Sequence, residues 1–199
     1  VEMMRRARKE VVITSPYLIP GEAGLDTFRN SVERHGVKYT LVTNSLAAND
    51  VAAVYGAYRP YRDDLLRGGV RVYELRAQGH PDSSLFGSSG ASLHTKAYSV
   101  DDARGFIGSF NLDARSAYLN TEMGVMFDDP QLAKAVRDEY LRLAGPELSY
   151  WIYLNAQGEP RWLDRVLQPP RSIAKEPDTD RLQRFNAHAI SWLPLESLL

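Results

Sequence analysis

His94 and Lys96 stand two residues apart in Leu93-His-Thr-Lys-Ala-Tyr-Ser-Val-Asp101, and Gly108-Ser-Phe-Asn111 follows closely. These are groups suited to a phosphate. An imidazole can attack phosphorus as a nucleophile. The Lys96 ammonium and the Asn111 amide can hold non-bridging oxygens, whose charge grows at the transition state. Gly108 and Ser109 lie in the same turn as candidate substrate contacts, and N–H groups at a following helix start add donors. Glu122 can orient a histidine and stabilise its charged form, as the acid does in a catalytic triad. Nothing here calls for a metal or another cofactor. Lys96 beside His94, Asp101 and Glu122 would repel a second cation, and no His-x-x-x-His or Cys pair is present.

Such groups work only if regular elements place them. Read as a strand, residues 93–100 put His94, Lys96, Tyr98 and Val100 on one face. His94 and Lys96 are then roughly 7 Å apart along it. Asp101 ends that strand and opens a turn with Asp102, Ala103 and Arg104. Residues 105–108 return as a hairpin partner, 112–118 read as a short helix with Asp113 near its cap, and 121–127 as a strand carrying Glu122. Asp101, at a strand end, reads as structural or charge-balancing rather than as a base.

The frame around these residues alternates. Residues 10–15 are a β-branched run and read as a buried strand. A loop from Pro16 to Gly24 follows, and its Tyr17 either faces the site or packs. The apolar spacing predicts a helix over 23–35 closed by Gly36, then a strand over 37–43. Asn44, Ser45 and Asn49 read as a polar loop, and Asp50 as the cap of a helix to about Arg67 that Pro60 should kink or split. A third strand spans 70–75. This order predicts a parallel sheet with helices on it. Residues 76–92 show no periodicity and read as a surface loop, with His80 exposed and Gly87-Ser-Ser-Gly90 a weak phosphate-binding signal.

Beyond the site, residues 130–144 carry an apolar helical stripe. Residues 149–154 and 160–163 flank Asn155-Ala-Gln-Gly-Glu159 as a hairpin. Residues 184–199 form an apolar tail, read as packing back on the domain, because it has few Lys or Arg to favour lipid. The predicted fold class is α/β, a mixed sheet with helices on both faces. It divides into a domain over 1–145 and an extension over 146–199.

Composition sets outer limits. Net charge is −1, which gives no global field toward nucleic acid. There are no cysteines, so disulfide and thiol chemistry are excluded. No apolar run reaches the 18 or so residues of a membrane helix. The chain opens on Val1 inside a helical pattern spanning residues 2–9, and reads as a fragment or processed product.

His94-x-Lys96-x4-Asp101-x6-Gly108-Ser109-x-Asn111, with Glu122 following, resembles the HKD signature of the phospholipase D superfamily. Ser15-Pro-Tyr-Leu-Ile-Pro20, Thr43-Asn-Ser-Leu46, Ser88-Ser-Gly-Ala-Ser-Leu-His94, Asn120-Thr-Glu122 and Trp192-Leu-Pro-Leu-Glu-Ser-Leu-Leu199 are similar to the bacterial cardiolipin synthase branch. The resemblance runs from about residue 10 to the end and is to the C-terminal half of such an enzyme. It implies a phospholipase D-like half, with His94, Lys96, Asp101, Asn111 and Glu122 in its site. It implies phosphatidyl transfer through a phosphohistidine, with phosphatidylglycerol accepting from phosphatidylglycerol or phosphatidylethanolamine. It also implies a phospholipid substrate and peripheral contact with the cytoplasmic side of a bacterial inner membrane. One departure matters. The family completes a site from two motifs, whereas this chain has one; His35, His80 and His188 lack a Lys two residues on. A second motif must come from a missing N-terminal half or a homodimer partner. A homodimeric HKD endonuclease is the alternative, and the near-neutral charge disfavours nucleic acid. An inactive half-site is the third reading.

Overall fold

A computed structural model of the chain describes residues 2–49, 52–77 and 93–192. The chain starts with one helical turn, α1 (Glu2–Arg5), shorter than expected. Then β1 (Glu10–Thr14), α2 (Gly21–His35), β2 (Lys38–Asn44), α3 (Ala52–Arg67) and β3 (Arg71–Leu75) alternate as expected. The three strands pair in parallel, β1 to β2 and β2 to β3. Gly36, at φ 64, closes α2 in the left-handed region, and its N–H meets the carbonyls of Ser31 and Val32. α3 runs through Pro60 unbroken. An interior proline costs a helix about 3 kcal/mol. The stripe of Tyr55, Tyr58, Tyr61 and Leu65, all buried, holds it in place.

The next elements are β4 (Lys96–Val100), β5 (Arg104–Gly108), α4 (Ala114–Tyr118), β6 (Gly124–Asp128) and α5 (Pro130–Leu143). β4 joins β1 antiparallel, on the side away from β2, and β5 and β6 extend the sheet outward. The turn from β4 to β5 holds Asp101 and Asp102 at φ 55 each, a conformation Asp tolerates better than most residues. On the far side, β7 (Ser149–Leu154) and β8 (Pro160–Asp164) form the expected hairpin, and β7 pairs with β3. A short β9 (Arg171–Ile173) and a helix α6 (Arg181–Ile190) complete the described chain. Neither is among the elements expected from the sequence, where residues 184–199 read as an apolar tail. Among the described residues the sheet is nine-stranded, in the order β6-β5-β4-β1-β2-β3-β7-β8-β9.

Both faces of this mixed sheet are covered, as expected. Val11 and Ile13 of β1 pack into a cluster with Phe28, Tyr55 and Leu65 from α2 and α3. Val12 and Val42 point the other way, onto Tyr140 and Leu143 of α5. Each such buried side chain stabilises the fold by about 1.5–3 kcal/mol. The region beyond residue 145 is built onto the same sheet. Tyr150, Ile152 and Trp162 belong to the larger cluster, and Ala187 of α6 joins them. A Cβ on Gly56 would stand 2.7 Å from Ile190 Cγ2, so α3 has bare backbone where α6 lies. Asp50, His80, the Gly87–Gly90 turn and residues 193–199 lie outside the described residues.

Candidate active site

The site is built where β1 leaves the sheet. Thr14 pairs with Ala97, and the Ser15 N–H still reaches the Val42 carbonyl at 3.1 Å. Pro16 has no N–H, and the chain turns away. Residues 93–95 therefore have no strand beside them, and β4 starts at Lys96 rather than at Leu93 as expected. His94 precedes the strand and is exposed.

Two side chains fix that segment. The Leu93 N–H donates to Asn44 Oδ1 at 2.8 Å, and Asn44 Nδ2 donates to the Leu93 carbonyl at 3.3 Å. Lys96 Nζ donates to the His94 carbonyl at 2.7 Å. Lys96 is only 7 % exposed. Burial pulls its pKa down from 10.5, against the nearby carboxylates of Glu122 and Asp113, which favour the ammonium. Gly108, opposite Lys96 on β5, has no room for a side chain. A Cβ there would stand 2.5 Å from the Phe106 ring and from the Met123 carbonyl.

The other residues converge from β5, α4 and the loop before β6. The Ser109 hydroxyl donates to Glu122 Oε2 and accepts the Met123 N–H at 2.9 Å. Asn120 Nδ2 donates to Glu122 Oε1 at 3.2 Å, and Arg115 Nε donates to Asn120 Oδ1 at 3.0 Å. The Ser109 bond, then that of Asn120, holds the Glu122 carboxyl below 4.5 despite an opposing desolvation effect. Asp113 caps α4 by accepting the Ser116 N–H at 2.6 Å, and Ser116 Oγ accepts the Asn111 N–H at 3.3 Å. Burial pushes the Asp113 carboxyl up. Asn111 Oδ1 is buried without a hydrogen-bond partner among the described residues, which costs about 1–3 kcal/mol.

One further expectation changes, and two other residues take the structural one of the roles open to them. Glu122 lies before β6, not within a strand over 121–127, and its hydrogen bonds go to Ser109 and Asn120 rather than to His94. The Tyr17 ring packs on the larger core cluster. The loop around it contributes through its backbone. Ser15 Oγ donates to the Tyr17 carbonyl at 2.6 Å and accepts the Leu112 N–H at 3.2 Å, tying the loop to the residue after Asn111. Asp101 sits at the opposite end of β4 from Lys96, about 16 Å away at the usual rise. Its carboxylate accepts N–H groups of Arg8, Lys9 and Glu10 at 2.8, 2.8 and 2.9 Å. Burial alone would raise its pKa, but those three donors outweigh it and hold the carboxyl below 3.8. Asp101 pins the chain entering β1 and is remote from Lys96. Sequence reading missed Asn44, Ser15 and Ser116 as parts of this corner.

His94, Lys96, Ser109, Asn111 and Glu122 thus share one corner at the open end of the sheet. Beside it Tyr118 of α4, Leu119 after it, Met123 before β6 and Met126 of the edge strand β6 are exposed, while Ile107 and Val125 are exposed on the opposite face of β5 and β6. Among the described residues no group of three or more His, Asp or Glu is placed to hold a metal ion.

A mixed sheet with this His-x-Lys corner defines a phospholipase D-like domain. Residues 1–144 match the family model described as cardiolipin synthase, PLD-like domain, and the chain belongs to that family. It is 38 % identical over 203 residues to cardiolipin synthase C of Escherichia coli K12, covering 100 % of this chain and 42 % of that protein. It is 29 % identical over 138 residues to cardiolipin synthase A of Buchnera aphidicola from Acyrthosiphon pisum, covering 68 % and 25 %. The chain thus spans well under half the length of these relatives. Among solved structures, phosphatidylserine synthase of Haemophilus influenzae Rd KW20 aligns with a TM-score of 0.58 at 15 % identity, over 96 % of this chain and 39 % of that one. Nuc, a phospholipase D family member from Salmonella typhimurium, aligns with a TM-score of 0.56 at 15 % identity, over 74 % and 84 %. At such identity the structural likeness carries the fold alone.

Proposed function

We propose that this chain supplies one half of a phosphatidyltransferase site that forms cardiolipin. The observation that carries this reading is the corner itself. An exposed imidazole stands on a fixed segment, with a buried ammonium and an ionised Glu122 behind it. A His94 ring nitrogen attacks the phosphorus of phosphatidylglycerol or phosphatidylethanolamine. The N–P bond forms as the P–O bond to the head-group alcohol breaks, and a second HKD histidine gives the leaving oxygen its proton. That histidine then takes the proton of a phosphatidylglycerol hydroxyl as the new O–P bond forms and the N–P bond breaks. Lys96 and the Asn111 amide hold the phosphoryl oxygens.

The second histidine comes from the other half of a longer protein or from a second copy. Met123 and Met126, exposed beside Tyr98 and Phe106 on the face of the sheet that carries Lys96, are the apolar groups such a unit would cover, since exposed apolar patches mark interfaces. No helix among the described residues is long and apolar enough to cross a membrane. The phospholipid substrate of this reading, and the likeness to bacterial cardiolipin synthases, support peripheral contact on the cytoplasmic side of a bacterial inner membrane.

The test is cardiolipin formation from phosphatidylglycerol vesicles, by the full-length protein that carries this chain or by the dimer if the chain forms one. His94→Ala and Lys96→Ala are expected to lose about a hundred- to ten-thousandfold in rate with the circular dichroism spectrum retained. Wild-type activity in either variant sinks the assignment. A single motif and a fold shared with Nuc favour a second reading, a homodimeric nuclease. Cleavage of plasmid DNA at two salt concentrations, without turnover of phosphatidylglycerol, would replace the first reading with that one.

A further inference from the structure

We propose that Asn44 is a positioning residue for His94. The inference rests on the reading of His94 as the group that reacts with phosphate. Asn44 closes β2 and is 2 % exposed, two strands away from β4, with β1 between them. Strands in a sheet lie about 4.8 Å apart, so β2 and β4 backbones are separated by about twice that. Their ladders cannot meet while β1 fills the space. Once β1 departs at Pro16, a gap opens beside Leu93, and the Asn44 side chain spans it.

Both backbone polar groups of Leu93, its N–H and its carbonyl, end on that one amide, at 2.8 and 3.3 Å. A primary amide presents a donor and an acceptor side by side, as one strand residue presents its own N–H and C=O to a neighbour, so Asn44 extends the ladder where no backbone is available. Asp offers only acceptors at neutral pH, and an aliphatic residue offers neither. The neighbouring Thr43 Oγ1 donates to the Pro16 carbonyl at 3.2 Å. Consecutive side chains at the end of β2 therefore hold both segments that part there. His94 is the next residue after the clamp, and its own carbonyl is held by Lys96. The exposed imidazole is thus carried on backbone fixed from both sides, which is how a 1 Å error in the reacting atom is avoided. Errors of that size cost about a hundredfold in rate.

The experiment compares Asn44→Ala, Asn44→Asp and Tyr39→Phe with wild type in the full-length protein. Tyr39→Phe removes a buried hydrogen bond to the Met4 carbonyl at 2.9 Å, remote from His94, and serves as the control for simple destabilisation. Asn44→Ala is expected to lower kcat about ten- to hundredfold with KM unchanged within twofold. The Leu93 amide is expected to exchange faster with solvent. Asn44→Asp keeps the acceptor for the Leu93 N–H and is expected to fall between wild type and Asn44→Ala in both measurements. It also keeps the test alive if Asn44→Ala does not fold. Two results overturn the inference: wild-type kcat in a folded Asn44 variant, or a kcat loss that Tyr39→Phe reproduces at an equal drop in melting temperature. If instead His94→Ala is active, the underlying reading fails, and the Leu93 exchange rate still reports whether the clamp exists.

Discussion

Asp101 and Glu122 are both acids of the HKD region, and their surroundings give them opposite work. Glu122 sits beside the Lys96 ammonium and is bonded by the side chains of Ser109 and Asn120. Asp101 meets three backbone N–H groups that lead into β1. Asp101→Asn should therefore cost stability rather than chemistry. A drop of about 1–2 kcal/mol in unfolding free energy at pH 7, by urea titration, is expected, with phosphatidyl transfer retained. The pH dependence has a definite sign. The folded carboxyl titrates below 3.8, so its contribution is complete above that value and is lost as pH falls through the depressed pKa. Wild type and Asp101→Asn should accordingly converge in stability in that acid range.

At the scale of elements, the hairpin β7–β8 is fastened to the parallel strands by a charge inside the core. Glu74 of β3 accepts from Trp162 Nε1 of β8 at 2.8 Å, and Arg62 of α3 stands over the Trp162 ring at 4.9 Å. Burial pushes the Glu74 carboxyl up to about 7, against the pull of Arg62 and the Trp162 N–H. A raised acid stabilises fully below its unfolded value and loses that contribution as pH rises through the folded one. Trp162→Phe removes the donor and should lower stability by about 1–3 kcal/mol, with the larger loss above pH 7, in thermal melts at pH 5 and pH 8. Much of this scale was readable in advance. β1, β2, β3, α2, α5 and the hairpin follow from apolar period and glycine stops. The start of β4 was not readable, because it depends on where another strand leaves. Asn44 after a β-branched run reads as the beginning of a loop, and only the folded neighbour shows that it holds Leu93. β9 is too short for a pattern. α6 did carry a legible start, the capping box of Asp180 and Gln183, hidden by reading its apolar residues as a tail.

For the whole molecule, the sheet's two edges are unlike. β9 ends one side, and β6 ends the other with Val125 at 66 % and Met126 at 70 % exposure, next to the site. An apolar edge strand is a liability unless something covers it. Val125→Glu and Met126→Glu, made together, should leave the melting temperature of this chain within about 2 °C, since neither side chain is buried in it. On the reading proposed above, the same pair should abolish cardiolipin formation by the assembled protein through Met126, which lies on the face of Lys96, because the second histidine would no longer seat. Sedimentation would show which unit is lost, a second copy or the other half. The motif implies a partner site; Met123 and Met126, which would receive it on the proposed reading, come beside Tyr98 and Phe106 only in the fold.

The long reach between β3 and β7 bears on how the protein is made. Leu75 pairs with Ser149 and Val72 with Ile152. A ribosome releases the chain from its N-terminus, so β1, β2 and β3 are available long before their last neighbour. Until β7 and β8 emerge, β3 has a bare edge, and Glu74 lacks the indole that will bond it. A nascent chain is therefore most prone to wrong strand pairing late in synthesis, when nearly all of the reactive corner has already been translated.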